Sequence, residues 1–205
     1  PTQSGYYTCS VTMGSCAPLV TEQFKVLNCT KLSSAAYDLC TSKTITPAFT
    51  TSTQAPVPST VSIITAPTLG TATVNPNTGV ITYTATNPGT AATDTFTYTF
   101  CGNDPVFTDC ETVTVTMNIQ AVVVNNTTIN ACNNGSGQGI FNLTSANVTN
   151  NSPVTITYYP SLSDAQNETP AAQITAPTNY TATNGTIVYA VVKNNLGCKS
   201  IAQIT

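Results

Sequence analysis

The sequence contains no histidine and no tryptophan, and only 6% of its 205 residues are charged. An average soluble domain is about 25% charged, so ionisable side chains are unusually scarce here. Without histidine the chain has no imidazole for acid–base catalysis near neutral pH, and no Ser-His or Cys-His pair for nucleophilic catalysis. We therefore expect that this protein is not an enzyme.

Positive charge is also nearly absent. The five basic residues are all lysines and the formal net charge is −3. Such a chain has almost nothing with which to neutralise phosphates, which argues against a nucleic-acid partner. No apolar stretch approaches the ~18 residues of a membrane-spanning helix, so we expect no membrane insertion. The eight cysteines are even in number and favour disulfides in an oxidising, extracellular location.

What the chain does have is strict alternation of apolar and polar residues. Phe96, Tyr98 and Phe100 alternate with threonines, and the run from Val113 to Ile119 does the same. Near the end, Ile187, Tyr189 and Val191 repeat the pattern. A period of two is typical of strands with one face on a core and one in water. Together with turn residues between the runs, it predicts an all-β fold of stacked antiparallel sheets.

One short helix and two domain boundaries are also predicted. Residues 161–168 begin with a serine suited to an N-cap and carry an aspartate in the first turn. Breaks near residues 28 and 120 divide the chain into a hairpin at 1–28, a sandwich at 29–120 and a sandwich at 121–205. Because an isolated hairpin is only marginally stable, the first segment needs a sheet to join.

Three segments in the middle of the chain share a pattern of strands and turns, namely 70–84 (GTATVNPNTGVITYT), 93–101 (TDTFTYTFC) and 112–116 (TVTVT). This pattern resembles the cadherin-like (Ig-like) repeat of large bacterial surface proteins, and the resemblance covers about 60–120. It implies tandem Ig-like β-sandwiches. Residues 5–26 look like the last two strands of such a domain, which implies that 1–28 is the C-terminal hairpin of a preceding one.

The last third contains four further motifs, namely 132–144 (CNNGSGQGIFNLT), 157–166 (TYYPSLSDAQ), 187–192 (IVYAVV) and Gly197-Cys198. Together they resemble a repeat common in secreted adhesins of gliding Bacteroidota. Asn133, Asn134 and Asn142 stand where that family usually has aspartate. Membership would imply export by the type IX secretion system and a location on the cell surface or an appendage.

The cysteine spacing suggests disulfides rather than a metal site. Cys101 and Cys110 bracket an eight-residue loop between two strands, and Cys132 and Cys198 lie near the two ends of the last domain. The remaining four allow three pairings. Among these we favour Cys9–Cys16 and Cys29–Cys40. Zinc sites built from thiolates usually use C-x₂₋₄-C knuckles, which this sequence lacks.

A calcium ion is the only cofactor that the sequence suggests. Asp94, Asp104 and Asp109 are the candidate ligands, because carboxylates clustered at one end of a sandwich can bind calcium. The alternative is that these side chains cap turns and solvate a loop. No other cofactor is expected.

The function that these features favour is structural. We expect a segment of a long extracellular adhesin or surface filament, in which Ig-like modules form a stalk for adhesion or gliding. Its partners would be neighbouring modules of the same chain or other copies in a filament. The alternatives are a filament subunit closed by strand exchange between copies and a module that binds surface glycans or proteins.

Overall fold

The computed structural model describes residues 4–27 and 30–205. The chain folds into two compact units. The first unit takes in the described residues of 1–37, 41–87 and 93–118, and the second comprises 38–40, 88–92 and 119–205. No helix in the described part of the chain is both long and apolar enough to cross a membrane.

The regular secondary structure between residues 5 and 119 consists mostly of β-strands. In order they are β1 (Gly5–Tyr7), β2 (Ser10–Val11), β3 (Leu19–Val20), β4 (Phe24–Val26), β5 (Lys31–Leu39), β6 (Ser42–Ile45), β7 (Ser62–Thr65), β8 (Gly70–Val74), β9 (Ile81–Ala85), β10 (Ala92–Cys101) and β11 (Cys110–Ile119). A four-stranded sheet has the order β5-β11-β10-β7, and a three-stranded sheet has the order β6-β9-β8. The apolar faces of these two sheets meet in a β-sandwich.

The core of this sandwich contains the residues that the alternation predicts. Phe96, Tyr98 and Phe100 are buried on β10, and so are the apolar residues of β11 from Val113 to Ile119. Tyr83 on β9 is fully buried and its ring stacks on Phe96, with 6.1 Å between centroids. The alternation of β10 and β11 is therefore confirmed, because the threonines between these residues face away from the core.

The later part of the chain forms a second β-sandwich. Its elements are β12 (Gln138–Phe141), β13 (Val154–Tyr159), α1 (Leu162–Asn167), β14 (Tyr180–Thr183), β15 (Val188–Asn194) and β16 (Lys199–Ile204). One sheet has the order β13-β15-β16 and the other pairs β12 with β14. The predicted helix is confirmed, since the Ser161 side chain accepts a hydrogen bond from the backbone N–H of Asp164.

The face of β15 that enters the core differs from the prediction. Val188, Ala190 and Val192 lie in the main core, whereas Ile187 is 38% exposed. Val191 is buried on the opposite face, in a small cluster with Tyr159 and with Ala165 of α1. The face with Val191, which the alternation predicts to be the apolar one, is the face that α1 covers. The opposite face enters the main core, so β15 is apolar on both faces.

The hairpin that opens the chain consists of two short ladders. β1 pairs with β4, and β2 pairs with β3 in the register Ser10↔Val20 and Val11↔Leu19. Large apolar side chains along it face solvent, among them Met13 at 72% and Leu19 at 76% exposure. Such a concentration of exposed apolar residues is typical of a surface that another segment covers.

Candidate functional site

The disulfide between Cys101 and Cys110 is the one that the loop length predicts, and it is confirmed. Cys101 ends β10 and Cys110 begins β11, with 4.1 Å between their Cα atoms. Next to it, the backbone N–H of Gly102 donates to the carbonyl of Asp109 at 2.8 Å. The bond therefore closes a hairpin whose strands already pair.

The second disulfide joins Cys40 to Cys198, so the predicted pairs Cys132–Cys198 and Cys29–Cys40 are wrong. Cys40 directly follows β5, and Cys198 lies in the loop between β15 and β16. Cys132 lies at the other end of β16, close to Ile129, whose N–H donates to the carbonyl of Thr205. The six residues of β16 separate these two ends by about 20 Å, which is far beyond the reach of a disulfide.

Cys9 and Cys16 are free and exposed, so the predicted bond between them is absent from this structure. Cys9 lies opposite Thr21, whose backbone N–H donates to the Cys9 carbonyl at 2.9 Å. Cys16 lies in the turn at the far tip of the hairpin, where its N–H donates to the carbonyl of Met13. The register of the hairpin thus keeps them apart. Cys29 lies outside the described residues, and Cys132 is free and exposed.

Asp94 is a buried carboxylate at the start of the apolar run of β10. It is 3% exposed and accepts five hydrogen bonds, from the N–H and hydroxyl groups of Thr68, the N–H groups of Leu69 and Thr95, and the Tyr83 hydroxyl. Burial by itself would raise the pKa of Asp94, but these donors lower it below the usual value. Burial, together with the hydrogen bond to Asp94, raises the pKa of Tyr83.

Asp109 and Glu111 are buried in the same way at the start of β11. Asp109 accepts hydrogen bonds from the N–H of Ser4, the hydroxyl of Ser52 and the side-chain amide of Gln54. Burial opposes its ionisation, but the hydrogen bonds from Ser52 and Ser4 lower the pKa of Asp109. Glu111 is fully buried, and both its oxygens accept from Thr50. These carboxylates tie the segment at 50–54 to the sandwich.

The predicted calcium ligands therefore do not form a metal site. Asp94 and Asp109 are surrounded by N–H and O–H donors, which occupy the oxygen atoms that a cation would need. Asp104 accepts from the backbone N–H groups of Val106 and Phe107 and so caps its own turn. Within the described residues no three Asp, Glu or Cys side chains gather where they could hold a metal ion.

Gly70 on β8 permits the close packing around Asp94 and Tyr83. A Cβ atom at this position would lie 2.5 Å from the Tyr83 ring and 2.6 Å from the carbonyl oxygen of Thr84. We expect Gly70→Ala to destabilise the first sandwich by about 2 kcal/mol, because the buried ring and the strand must shift. Thermal unfolding measures the loss. Gly89→Ala is the control, since no atom lies within 4 Å of its added Cβ.

The cavities of the second unit are small or shallow. One of about 100 Å³ is lined mainly by apolar side chains, including Ile129, Phe141 and Leu143. A groove of about 350 Å³ is lined by residues that include Asn151 and Asn194. Small-molecule sites usually occupy about 300–1,000 Å³ and combine an apolar pocket with a few convergent polar groups. Neither cavity combines the two features.

One family model is similar to part of the second unit. The model of the Flavobacterium inter-domain disulphide bond domain matches residues 125–205, which contain Cys198. This supports assigning the last third of the chain to an Ig-like region of a Bacteroidota protein. No curated protein matches the chain.

The solved structures that are similar to the chain have low identity. The bradyzoite-specific antigen BSR4 of Toxoplasma gondii is 10% identical, with 97% of this chain and 98% of that chain covered and a TM-score of 0.28. The first four Ig domains of Dscam1 isoform 9.44 are 10% identical over 86% and 42%, with a TM-score of 0.23. Titin domains I67–I69 are 10% identical over 86% and 62%, with a TM-score of 0.25.

The class of protein follows from the fold and the disulfides. The chain is an all-β protein of disulfide-bonded Ig-like sandwiches. Such bonds form and persist in oxidising compartments, which identifies an extracellular module.

Proposed function

We propose that this chain is a load-bearing segment of a long extracellular adhesin or surface filament of a Bacteroidota cell. In this role Ig-like modules in series form a stalk that serves adhesion or gliding, and type IX secretion exports the chain. The family model matched by residues 125–205 supports the bacterial group and the disulfide-bonded architecture.

The observation that carries the proposal is the span of the Cys40–Cys198 disulfide. The two cysteines are 158 positions apart in sequence, so most of the chain lies in the loop that the bond closes. Tension applied before residue 40 and after residue 198 passes through the covalent bond and not through the strands between. The sandwich strands inside the loop are then shielded from the load.

A force measurement on single molecules tests this role. The chain is pulled from its two ends, first under oxidising conditions and then with dithiothreitol. We expect reduction to add on the order of 500 Å to the fully extended length, because an extended residue spans about 3.3–3.6 Å and 158 positions are released.

The double variant Cys40→Ala/Cys198→Ala is the matched control for that measurement. It should reach the long extension without reductant, while Cys101→Ala/Cys110→Ala should keep the short one. An extension that is the same with and without dithiothreitol in the unmodified chain would mean that the bond does not carry the load.

A filament subunit closed by strand exchange is the second candidate, and the exposed hairpin favours it. Tyr6, Val11 and Val20 are each more than half exposed, in strands of two or three residues. Strands added from another segment would cover them. Sedimentation of the chain as a monomer at all concentrations would count against this candidate.

A further inference from the structure

Two asparagines of the chain are followed directly by glycine, Asn134 and Asn184. In such a pair the backbone nitrogen of the glycine can attack the side-chain carbonyl carbon of the asparagine, because glycine has no side chain to obstruct the approach. The reaction replaces the amide by a carboxylate. The two sites share this chemistry, but the hydrogen bonds around them differ.

Asn134 lies in a loop that fixes both reacting groups. The N–H of Gly135, which carries the attacking nitrogen, donates to Oδ1 of Asn133 at 2.8 Å. Oδ1 of Asn134 accepts from the N–H and the hydroxyl of Ser136, at 3.0 and 2.6 Å. These bonds hold the asparagine side chain in one orientation and engage the glycine nitrogen. Ring closure at Asn134 therefore has to break hydrogen bonds that the folded loop makes.

Asn184 lies in an open turn that directly follows β14. Asn184 and Gly185 are both exposed, and no atom lies within 4 Å of a Cβ added at Gly185. Among the described residues, neither the Asn184 side chain nor the Gly185 N–H has a hydrogen-bond partner. The N–H of Thr186 closes the turn by donating to the carbonyl of Thr183 at 3.2 Å, beside an exposed contact between the two hydroxyls. The reacting groups are thus free to meet when this exposed turn opens.

We propose that Asn184 is a site of spontaneous deamidation in the folded chain, and that the hydrogen bonds of residues 133–136 protect Asn134 from the same reaction. The change at Asn184 takes the formal net charge from −3 to −4, because one neutral amide becomes one carboxylate. Only 6% of the residues are charged, so this is a large change in surface charge. An extracellular module with this turn gains negative charge as it ages. The inference does not depend on the proposed stalk function.

The reaction needs only water and a base from the solvent. The base removes the proton of the Gly185 N–H, and the nitrogen attacks Cγ of Asn184. A C–N bond forms, the side-chain amide nitrogen takes up a proton and leaves as ammonia, and a succinimide ring remains. Water then adds to either carbonyl carbon of the ring and breaks its bond to nitrogen. The residue becomes aspartate or isoaspartate, and no electrons are transferred.

The test follows both sites in one sample. The full chain is held for days in mildly alkaline buffer and then digested with chymotrypsin, whose cleavage after Phe141 and Tyr180 places the two asparagines in separate peptides. Mass spectrometry detects the mass increase from amide to carboxylic acid. We expect deamidation at Asn184 and a rate about tenfold lower or less at Asn134, because its hydrogen bonds must break first. A sample digested before the incubation corrects for reaction during digestion.

Two controls show whether the fold sets the difference. In denaturant, with the disulfides reduced, both sites should react at similar rates, since glycine follows each asparagine. Asn133→Ala removes the acceptor of the Gly135 N–H, so it should raise the rate at Asn134 and leave the rate at Asn184 unchanged. Equal rates at the two sites in the folded chain would overturn the proposal. So would an Asn184 that stays intact in the folded chain and reacts only in denaturant.

Discussion

Changing both Cys40 and Cys198 to alanine should lower the free energy of unfolding by about 5 kcal/mol at 25 °C. The bond closes a loop with a sequence separation of 158, and the chain-entropy model gives about this value for the freedom that the unfolded chain regains. Urea titration under non-reducing conditions measures the loss, with tyrosine fluorescence as the probe. The slope of the transition should also rise, because an unfolded chain without the cross-link exposes more surface.

The shorter disulfide provides the comparison for this prediction. Cys101 and Cys110 are separated by 9 positions, so the same model gives only about 3 kcal/mol for Cys101→Ala/Cys110→Ala. The ranking of the two double variants is therefore the critical result. A larger loss for the shorter bond would show that local packing around each bridge, and not loop closure, determines its contribution.

The contrast between these two bridges shows what cysteine spacing can predict. Cys101 and Cys110 end adjacent strands of one hairpin, so local sequence brings them together. Cys40 and Cys198 meet only because the turn after β5 and the loop before β16 are brought together by the fold. Nothing in the spacing of the sequence encodes that meeting. Proximity to the ends of a domain was a poor guide for Cys132, because the six residues of β16 lie between it and Cys198.

The alternation of apolar and polar residues predicts which residues are buried, but it does not predict the hydrogen-bond partners of the acidic residues. The inward face of β10 that contains Phe96 also contains Asp94, two positions earlier, and Glu111 precedes Val113 on β11 in the same way. Period two could therefore have marked both carboxylates as buried. Sequence could not show that the atoms around Asp94 are N–H and O–H donors, since Thr68 and Leu69 approach from a distant loop.

The two faces of β15 are both apolar for different structural reasons. Residues on both of its faces are apolar, and a sandwich strand needs only one buried face. Helix α1 accounts for the second face, because Ala165 packs with Val191 and Tyr159. Glu168, at the end of this helix, forms ion pairs with Lys193 and Lys199 and so fixes α1 against the β15–β16 hairpin.

Replacing Asp94 by alanine should destabilise the first sandwich by about 4 kcal/mol, which is near the upper limit for single substitutions. The change removes five hydrogen bonds to a charged acceptor and leaves the buried Tyr83 hydroxyl and three backbone N–H groups without their partner. Urea titration measures the loss. Asp104→Ala is the control, because its turn is exposed and its loss should stay below about 1 kcal/mol.

The pH dependence of the free energy of unfolding separates the contribution of the Asp94 charge from that of the size of its side chain. Because its pKa is lowered in the folded state, the ionised carboxylate stabilises the fold above the pKa of the unfolded chain, which is about 3.9. This contribution is lost as the pH falls through the lower, folded-state pKa. Asp94→Asn keeps the size of the side chain but has no titrating group, so its stability should fall less steeply below pH 4. Parallel acid unfolding curves for the two proteins would show that other carboxylates, with Asp109 foremost, are responsible for the acid sensitivity.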